Sequence, residues 1–240
     1  HVLGFINSDI LLEPLLNYSI EIFKTDKEAA IRYLCLIREH DKSMDSIANL
    51  IIKADKGYQA LENAFQSDKG DSDSPISKVL TPENVDEVIG KASAKAREMD
   101  LYDLAIKLYR LRNDFMGILS YDIIKLTQII KNFSNNEVLN KINQHFALIQ
   151  EEQADKDQFN PIHETSVDPL SLRIMRDLYR LATACEFVRV RDFDNAVSEF
   201  EDSDLFPPIG VSQETQDQIY SNLPEIIKDI MPFVIIPALT

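Results

Sequence analysis

Carboxylates come closer than any other side chains of this sequence to a reactive arrangement. They form two acidic clusters: Asp68, Asp71 and Asp73 in a polar stretch, and Glu199, Glu201, Asp202 and Asp204 at the end of a short helical pattern. Such groups bind divalent cations when a turn makes their oxygens converge on one point. The first cluster lacks the correctly placed glycine and the terminal glutamate of a calcium loop. An all-α enzyme with a carboxylate-bound metal stays an alternative, but we expect no metal-binding residues here.

The cysteines and histidines show no spacing typical of a metal or catalytic site. Cys35 and Cys185 each lie within an apolar helical pattern, which predicts two small buried side chains in a reducing compartment. The four histidines are scattered along the chain, and no serine has the glycines of a nucleophile elbow. The chain is therefore predicted to have no catalytic residue, to bind no cofactor and not to be an enzyme.

Aromatic residues offer a different kind of site. Concave stacks of helices often bind a partner's peptide along a groove lined by such side chains. Core packing is the alternative role for most of them. The predicted groove residues are Tyr102, Tyr109, Phe115, Tyr121, Tyr179, Phe187 and Phe193.

The composition narrows the classes of partner. The chain has 240 residues, 45% hydrophobic and 27% charged, and a formal net charge of −15. Phosphate backbones are repelled by such a charge unless a basic patch overrides it. The nearest basic cluster, Lys91, Lys95 and Arg97, is partly neutralised by Glu87 and Glu98. We expect no direct binding to nucleic acid, whereas an acidic surface is compatible with basic partner peptides, or simply keeps the helices solvated.

Helices must position all of these residues, and the chain is organised around residues 81–131. Thr81-Pro82 has the pattern of a helix start, Asp100 is predicted to cap a second helix, and a long apolar pattern predicts a third. Asp168-Pro169 repeats the cap-then-proline pattern. Only 6 glycines are present, which argues against strands joined by tight hairpin turns. The sequence has about eleven helical patterns, and because their separations are unequal it predicts an all-α, irregular helical solenoid without strands.

Two further features concern the organisation of the chain. Residues 66–78 are polar and acidic and are predicted to form a mobile surface loop, with phosphorylation of Ser72 or Ser74 as an alternative role.

The apolar run at residues 226–239 is shorter than the ~20 residues of a membrane crossing, so we expect a buried terminal helix and no transmembrane segment. Residues 1–240 are predicted to be a single module, and the initial histidine indicates a fragment of a longer protein.

Three passages resemble one protein family. They are Met99 to Asp114 followed by a long aliphatic helix, the closing Asn222 to Ile227, and Ala29 to Leu34. These passages are similar to helices of the nucleoporin-interacting component family, the inner-ring scaffold nucleoporins. The resemblance implies an ancestral-coatomer-like solenoid that is a structural scaffold subunit of the nuclear pore complex at the nuclear envelope, with a role in nucleocytoplasmic transport of protein and mRNA.

The same resemblance implies the partners. They would be other scaffold nucleoporins and linker nucleoporins, bound through short linear segments, and the family's motifs supply no catalytic residue. The coiled segment by which the family recruits the channel nucleoporin trimer lies upstream of this sequence, so that role is not carried over. A vesicle-coat or tethering-complex subunit remains the alternative scaffold.

Overall fold

Helices account for the regular structure of the computed structural model, which describes residues 8–67, 74–132, 138–145, 147, 168–201 and 212–239. Within these ranges there is no strand, and the predicted all-α helical solenoid class is confirmed. The first six helices are α1 (Ser8–Phe23), α2 (Lys27–Leu34), α3 (His40–Lys53), α4 (Gly57–Ser67), α5 (Pro82–Glu98) and α6 (Tyr102–Leu111). The later helices are α7 (Phe115–Asn132), α8 (Pro169–Arg189), α9 (Phe193–Glu201), α10 (Gln213–Ser221) and α11 (Glu225–Leu239), with a further helical stretch over residues 139–145.

Contacts group the chain into two compact units, where the sequence predicted one module. Unit 1 is His1–Asp114 and unit 2 is Phe115–Thr240. In unit 1, α3 packs against α1, α2, α4 and α5, and α5 packs in turn on α6. Apolar side chains at helical spacing fill this core, because a helix with one apolar stripe must bury it against neighbours. Fully buried examples are Ile31, Leu34, Ile47, Leu50, Leu61, Ile89 and Leu108.

Unit 2 is built on the packing of α7 against α8. Helix α8 also packs against α9 and α11, and α11 contacts α7. Tyr121 and Leu119 of α7 and Leu178 and Leu181 of α8 are among the side chains with at most 2% exposure. Helix α9 has only nine residues and buries one apolar side chain, Ala196. The other apolar side chains of α9, Phe193, Val197 and Phe200, therefore stay partly or mostly exposed.

The two helix starts predicted from a cap followed by proline are confirmed. The Thr81 hydroxyl accepts a hydrogen bond from the Asn84 N–H at 3.4 Å, and Pro82 follows as the first helical residue. The Asp168 carboxylate accepts from the Leu170 N–H at 3.2 Å and the Ser171 N–H at 3.1 Å. The Ser171 hydroxyl and these amides hold the pKa of Asp168 below its usual value. Both caps satisfy amides that the helix itself leaves without partners.

The predicted cap at Asp100 is wrong. Asp100 has a φ of 58° and closes α5, and Leu101 precedes α6 without a side-chain cap. The N–H groups of Asp100 and Leu101 bond back to the carbonyls of Arg97 and Ala96, at 3.1 and 2.8 Å. This is the left-handed helix ending in which asparagine, aspartate or glycine is favoured. Asn113 and Arg191 close α6 and α8 in the same way.

One other predicted boundary needs correction. The polar pair His40-Asp41 predicts an interruption between two helical patterns, but these residues form the first turn of α3. The interruption lies earlier, because α2 ends at Leu34. The sequence Ser134-Asn135-Asn136 also predicts a helix cap, and residues 158–168 predict a second loop. Both lie outside the described residues, except for Asp168.

The stretch predicted as a mobile loop is described only in part. Gln66 and Ser67 belong to α4, and residues 68–73, with Ser72, lie outside the described residues. Residues 75–79 form turns in which Ile76 is fully buried, and the Ser77 hydroxyl donates to the Ala64 carbonyl at 3.4 Å. Ser74 is buried, so a kinase would reach it only after local opening. The mobility of the loop stays a prediction.

The two cysteines differ, and the prediction for Cys35 is wrong. Cys185 is buried in α8, and burial raises the pKa of its thiol to about 11. Cys35 is exposed because α2 ends one residue before it. Its pKa is also raised, through partial burial of the thiol.

We therefore expect an alkylating reagent at neutral pH to label Cys35 and to spare Cys185 until the protein unfolds. Mass spectrometry of labelled native and urea-unfolded protein measures this difference. Equal labelling of both thiols in the native protein would contradict the burial of Cys185.

A buried hydroxyl in α1 gives a prediction about stability. Ser19 is fully buried, and its oxygen has no hydrogen-bond partner among the described residues. Leaving such a group unpaired costs about 1–3 kcal/mol. Ser19→Ala should therefore raise the free energy of unfolding by about 1 kcal/mol, as measured by urea denaturation.

Ser43 supplies the matched control. Its hydroxyl is also buried but donates to the Leu34 carbonyl at 3.0 Å. Ser43→Ala should lower the free energy of unfolding by about 1 kcal/mol because that bond is lost. The same sign of change for both variants would contradict these hydrogen-bond assignments.

Candidate functional site

The seven predicted groove aromatics do not share one environment. Three of them, Tyr102 and Tyr109 of α6 and Tyr121 of α7, are buried in the helix packing. Three are half-buried: Phe115, Tyr179 and Phe187. Phe193, the first residue of α9, is 58% exposed. For the three buried tyrosines the structure agrees with the alternative role in core packing, whereas Phe193 presents most of its ring to solvent.

Two further exposed residues lie near Phe193 in the chain. Val190 is the C-cap residue of α8 and is 55% exposed, and Val197 of α9 is 51% exposed. Phe193 and Val197 are four residues apart in one helix and therefore lie on the same face. We call Val190, Phe193 and Val197 the α8–α9 apolar surface. The sequence feature that could have predicted this surface is the short length of α9. A nine-residue helix at a chain reversal has few neighbouring helices that could cover its apolar face.

The turn between α8 and α9 fixes the position of this surface. Arg191 adopts a φ of 64°, and the Asp192 N–H bonds back to the Phe187 carbonyl at 2.8 Å. The Asp192 carboxylate then accepts a hydrogen bond from the Asn195 side-chain amide at 2.7 Å, at the start of α9. Helix α9 therefore folds back along α8 and buries Ala196 against it. Phe193 and Val197 lie on the edge that α8 leaves open.

The charges near this surface are acidic. Residues 190–201 contain four carboxylates and one guanidinium, a net charge of −3. Asp194 and Glu201 are exposed, and they lie three residues before and four residues after Val197. Helical geometry places both beside Val197 on one face. Within the part of the chain that the structure describes, neither carboxylate forms a salt bridge.

The basic cluster of the sequence is in a different situation, in unit 1. Lys91 of α5 contacts the Asp41 and Asp45 carboxylates of α3, and Lys95 lies 3.5 Å from the Asp45 carboxylate. The hydrogen bond from Lys91 lowers the pKa of Asp41. His40 Nε2 is 2.9 Å from Glu87 Oε2 in the same region. Lys91 and Lys95 are thus already paired between helices, which leaves them poorly suited to bind phosphates.

A second, buried polar cluster lies in unit 2. Asp122 of α7 is fully buried, and its Oδ2 is 3.2 Å from Nδ1 of His145. An aspartate that orients a histidine is also part of catalytic triads. Here the His145 side chain is only 9% exposed, so a substrate has no access to the ring. The pair joins α7 to the helical stretch at 139–145 and is a structural contact.

The described residues form neither a group of metal ligands nor a membrane-spanning helix. Among the described residues, no three histidine, cysteine or acidic side chains come together as metal ligands would. The acidic cluster at Asp68, Asp71 and Asp73 lies outside those residues, as do Asp202 and Asp204 of the second cluster. No described helix combines the length and the apolar character that a membrane crossing requires.

Comparison with known proteins identifies the family. The family model described as Nup93/Nic96 matches residues 10–240, which is nearly the whole chain and both compact units. A search of curated proteins returns no match. The resemblance found in three sequence passages is thereby confirmed. The chain belongs to the Nup93/Nic96 family of scaffold nucleoporins, components of the nuclear pore complex at the nuclear envelope.

Proposed function

We propose that this chain is a structural part of the inner ring of the nuclear pore complex and that it binds other nucleoporins through the exposed faces of its helices. The observation that carries the proposal is the family match over residues 10–240. The exposed aromatic and aliphatic side chains at the end of α8 and on α9 support it, because such side chains are the usual anchors of protein interfaces. Catalysis has no part in this role.

Short linear segments are the proposed form of the partners. A stack of helices offers grooves and helix faces that suit a single extended or helical peptide. Of the predicted groove residues, the four with accessible surface are proposed to contact such segments: Phe115, Tyr179, Phe187 and Phe193. Tyr102, Tyr109 and Tyr121 are taken as core residues because they are buried.

Direct binding to nucleic acid is not part of the proposed function. The net charge of −15 repels phosphate backbones, and the basic cluster of α5 is paired with carboxylates of α3. The partners are therefore proposed to be proteins.

Affinity capture from nuclear-envelope extract tests the proposal. The chain is the bait, captured proteins are cross-linked, and mass spectrometry identifies both the partners and the cross-linked residues. We expect inner-ring and linker nucleoporins, with cross-links to lysines near the exposed helix faces. Recovery of vesicle-coat or tethering subunits without nucleoporins would overturn the proposal.

A further inference from the structure

The α8–α9 apolar surface exposes an aromatic ring and two valines to solvent. Phe193 and Val197 expose more than half of their area on the open edge of α9, while Ala196 and the half-buried Phe200 complete the same apolar stripe on its covered edge. Surface apolar residues that occur singly need no explanation. A ring and a valine share one helix face, and Val190 is exposed at the turn that precedes it. Such a grouping of exposed apolar side chains is typical of binding sites.

The carboxylates beside this surface specify the chemistry of a partner. Asp194 and Glu201 lie on the same side of α9 as Val197, and no cation of the described residues forms a salt bridge with them. They are seven residues apart, which is about 10 Å along a helix axis. A partner helix packed along α9 would match this distance with two basic residues seven positions apart.

We propose that the α8–α9 apolar surface binds a short, basic, amphipathic helical segment of another protein. The aliphatic side chains of this segment pack on Phe193 and Val197. Two of its lysines or arginines pair with Asp194 and Glu201. This proposal rests on the proposed scaffold function, since it names the chemistry of one partner segment and the site that receives it.

A synthetic peptide provides the probe. It carries lysines at positions i and i+7 and leucines at i+3 and i+4, and its comparator has glutamates in place of the lysines. Fluorescence anisotropy with the whole chain should show binding of the basic peptide and at least about tenfold weaker binding of the acidic one. Added salt should weaken the basic complex because exposed charges are screened. Equal affinity for both peptides would overturn the charge argument.

Substitutions in the protein locate the site. Phe193→Ser should weaken binding of the basic peptide at least about tenfold, as expected for an interface anchor. Leu36→Ser is the matched control, because Leu36 is 59% exposed in unit 1 and should leave binding unchanged. Asp194→Asn combined with Glu201→Gln should weaken binding several-fold and reduce its salt dependence. Unchanged affinity of the Phe193→Ser protein would overturn the proposed site.

Other occupants of the surface give different results. If another part of this chain covers it, Phe193→Ser lowers the melting temperature and the peptide does not bind. If a second copy covers it, the protein forms a concentration-dependent dimer that Phe193→Ser dissociates. Either result overturns the proposal. If the basic peptide does not bind while the unsubstituted bait still captures inner-ring nucleoporins, the site is wrong while the proposed function stands.

Discussion

Replacing Gly57 with alanine should lower the free energy of unfolding of unit 1 by about 3 kcal/mol. A Cβ at this buried position would overlap the Ile51 carbonyl oxygen and would lie 2.8 and 2.9 Å from the Ile51 carbonyl carbon and Cα. These are backbone atoms of α3, so the clash is relieved only by moving α3 relative to α4. Overpacking of this kind costs about 1–3 kcal/mol, and more when backbone must shift. Urea denaturation followed by circular dichroism measures the change.

Gly90→Ala is the matched control. Its added Cβ would lie 2.7 Å from a terminal nitrogen of the Arg112 side chain, which can move. Movement weakens the two hydrogen bonds of 2.9 and 3.1 Å from Arg112 to Asp86, an exposed pair that contributes at most about 1 kcal/mol. Alanine favours a helix interior by about 1 kcal/mol over glycine. We expect a net change near zero, and equal stability of both variants would contradict the described packing of α3 on α4.

Tyr121→Ala should destabilise unit 2 by about 3–5 kcal/mol. Tyr121 is the largest of the fully buried side chains, and the Lys125 ammonium lies 5.7 Å from its ring centroid. Removing a buried aromatic ring loses its transfer free energy and leaves a cavity. The measurement is the shift in urea midpoint at an unchanged denaturant slope.

Two controls separate core packing from a role in binding. Tyr121→Phe keeps the ring and should cost no more than about 1.5 kcal/mol. Phe193→Ala removes an exposed ring and should change stability by less than about 0.5 kcal/mol. A Tyr121→Ala protein that is as stable as the unsubstituted chain would contradict the core role of Tyr121 and favour its predicted role in the groove.

Local signals in the sequence were sufficient for the fold class and for most helix starts. Thr81-Pro82 and Asp168-Pro169 are caps because a hydroxyl or carboxylate next to a proline satisfies the first amides of a helix, whatever surrounds it. The sequence predicts the wrong role for Asp100 because aspartate suits both a helix start and a left-handed helix end. Only the φ of 58° and the hydrogen bonds back to α5 decide between them.

The candidate surface was less predictable, for a physical reason. Periodicity places Val88 and Val197 equally on apolar helix faces, yet Val88 is fully buried and Val197 is half exposed. Burial depends on which helix packs against that face, and this is set by contacts far apart in the sequence. The ion pairs between α5 and α3 were easier to foresee. Lys91 and Lys95 are four residues apart, as are Asp41 and Asp45, so each set lies on one face of its helix.

The position of this protein within the nuclear pore complex tests the central claim most directly. The protein that carries this chain is tagged, and its location along the transport axis is measured in isolated nuclear envelopes by immunogold electron microscopy. A scaffold subunit of the inner ring predicts label at the midplane of the pore. Label confined to the cytoplasmic or nuclear face would contradict the inner-ring assignment.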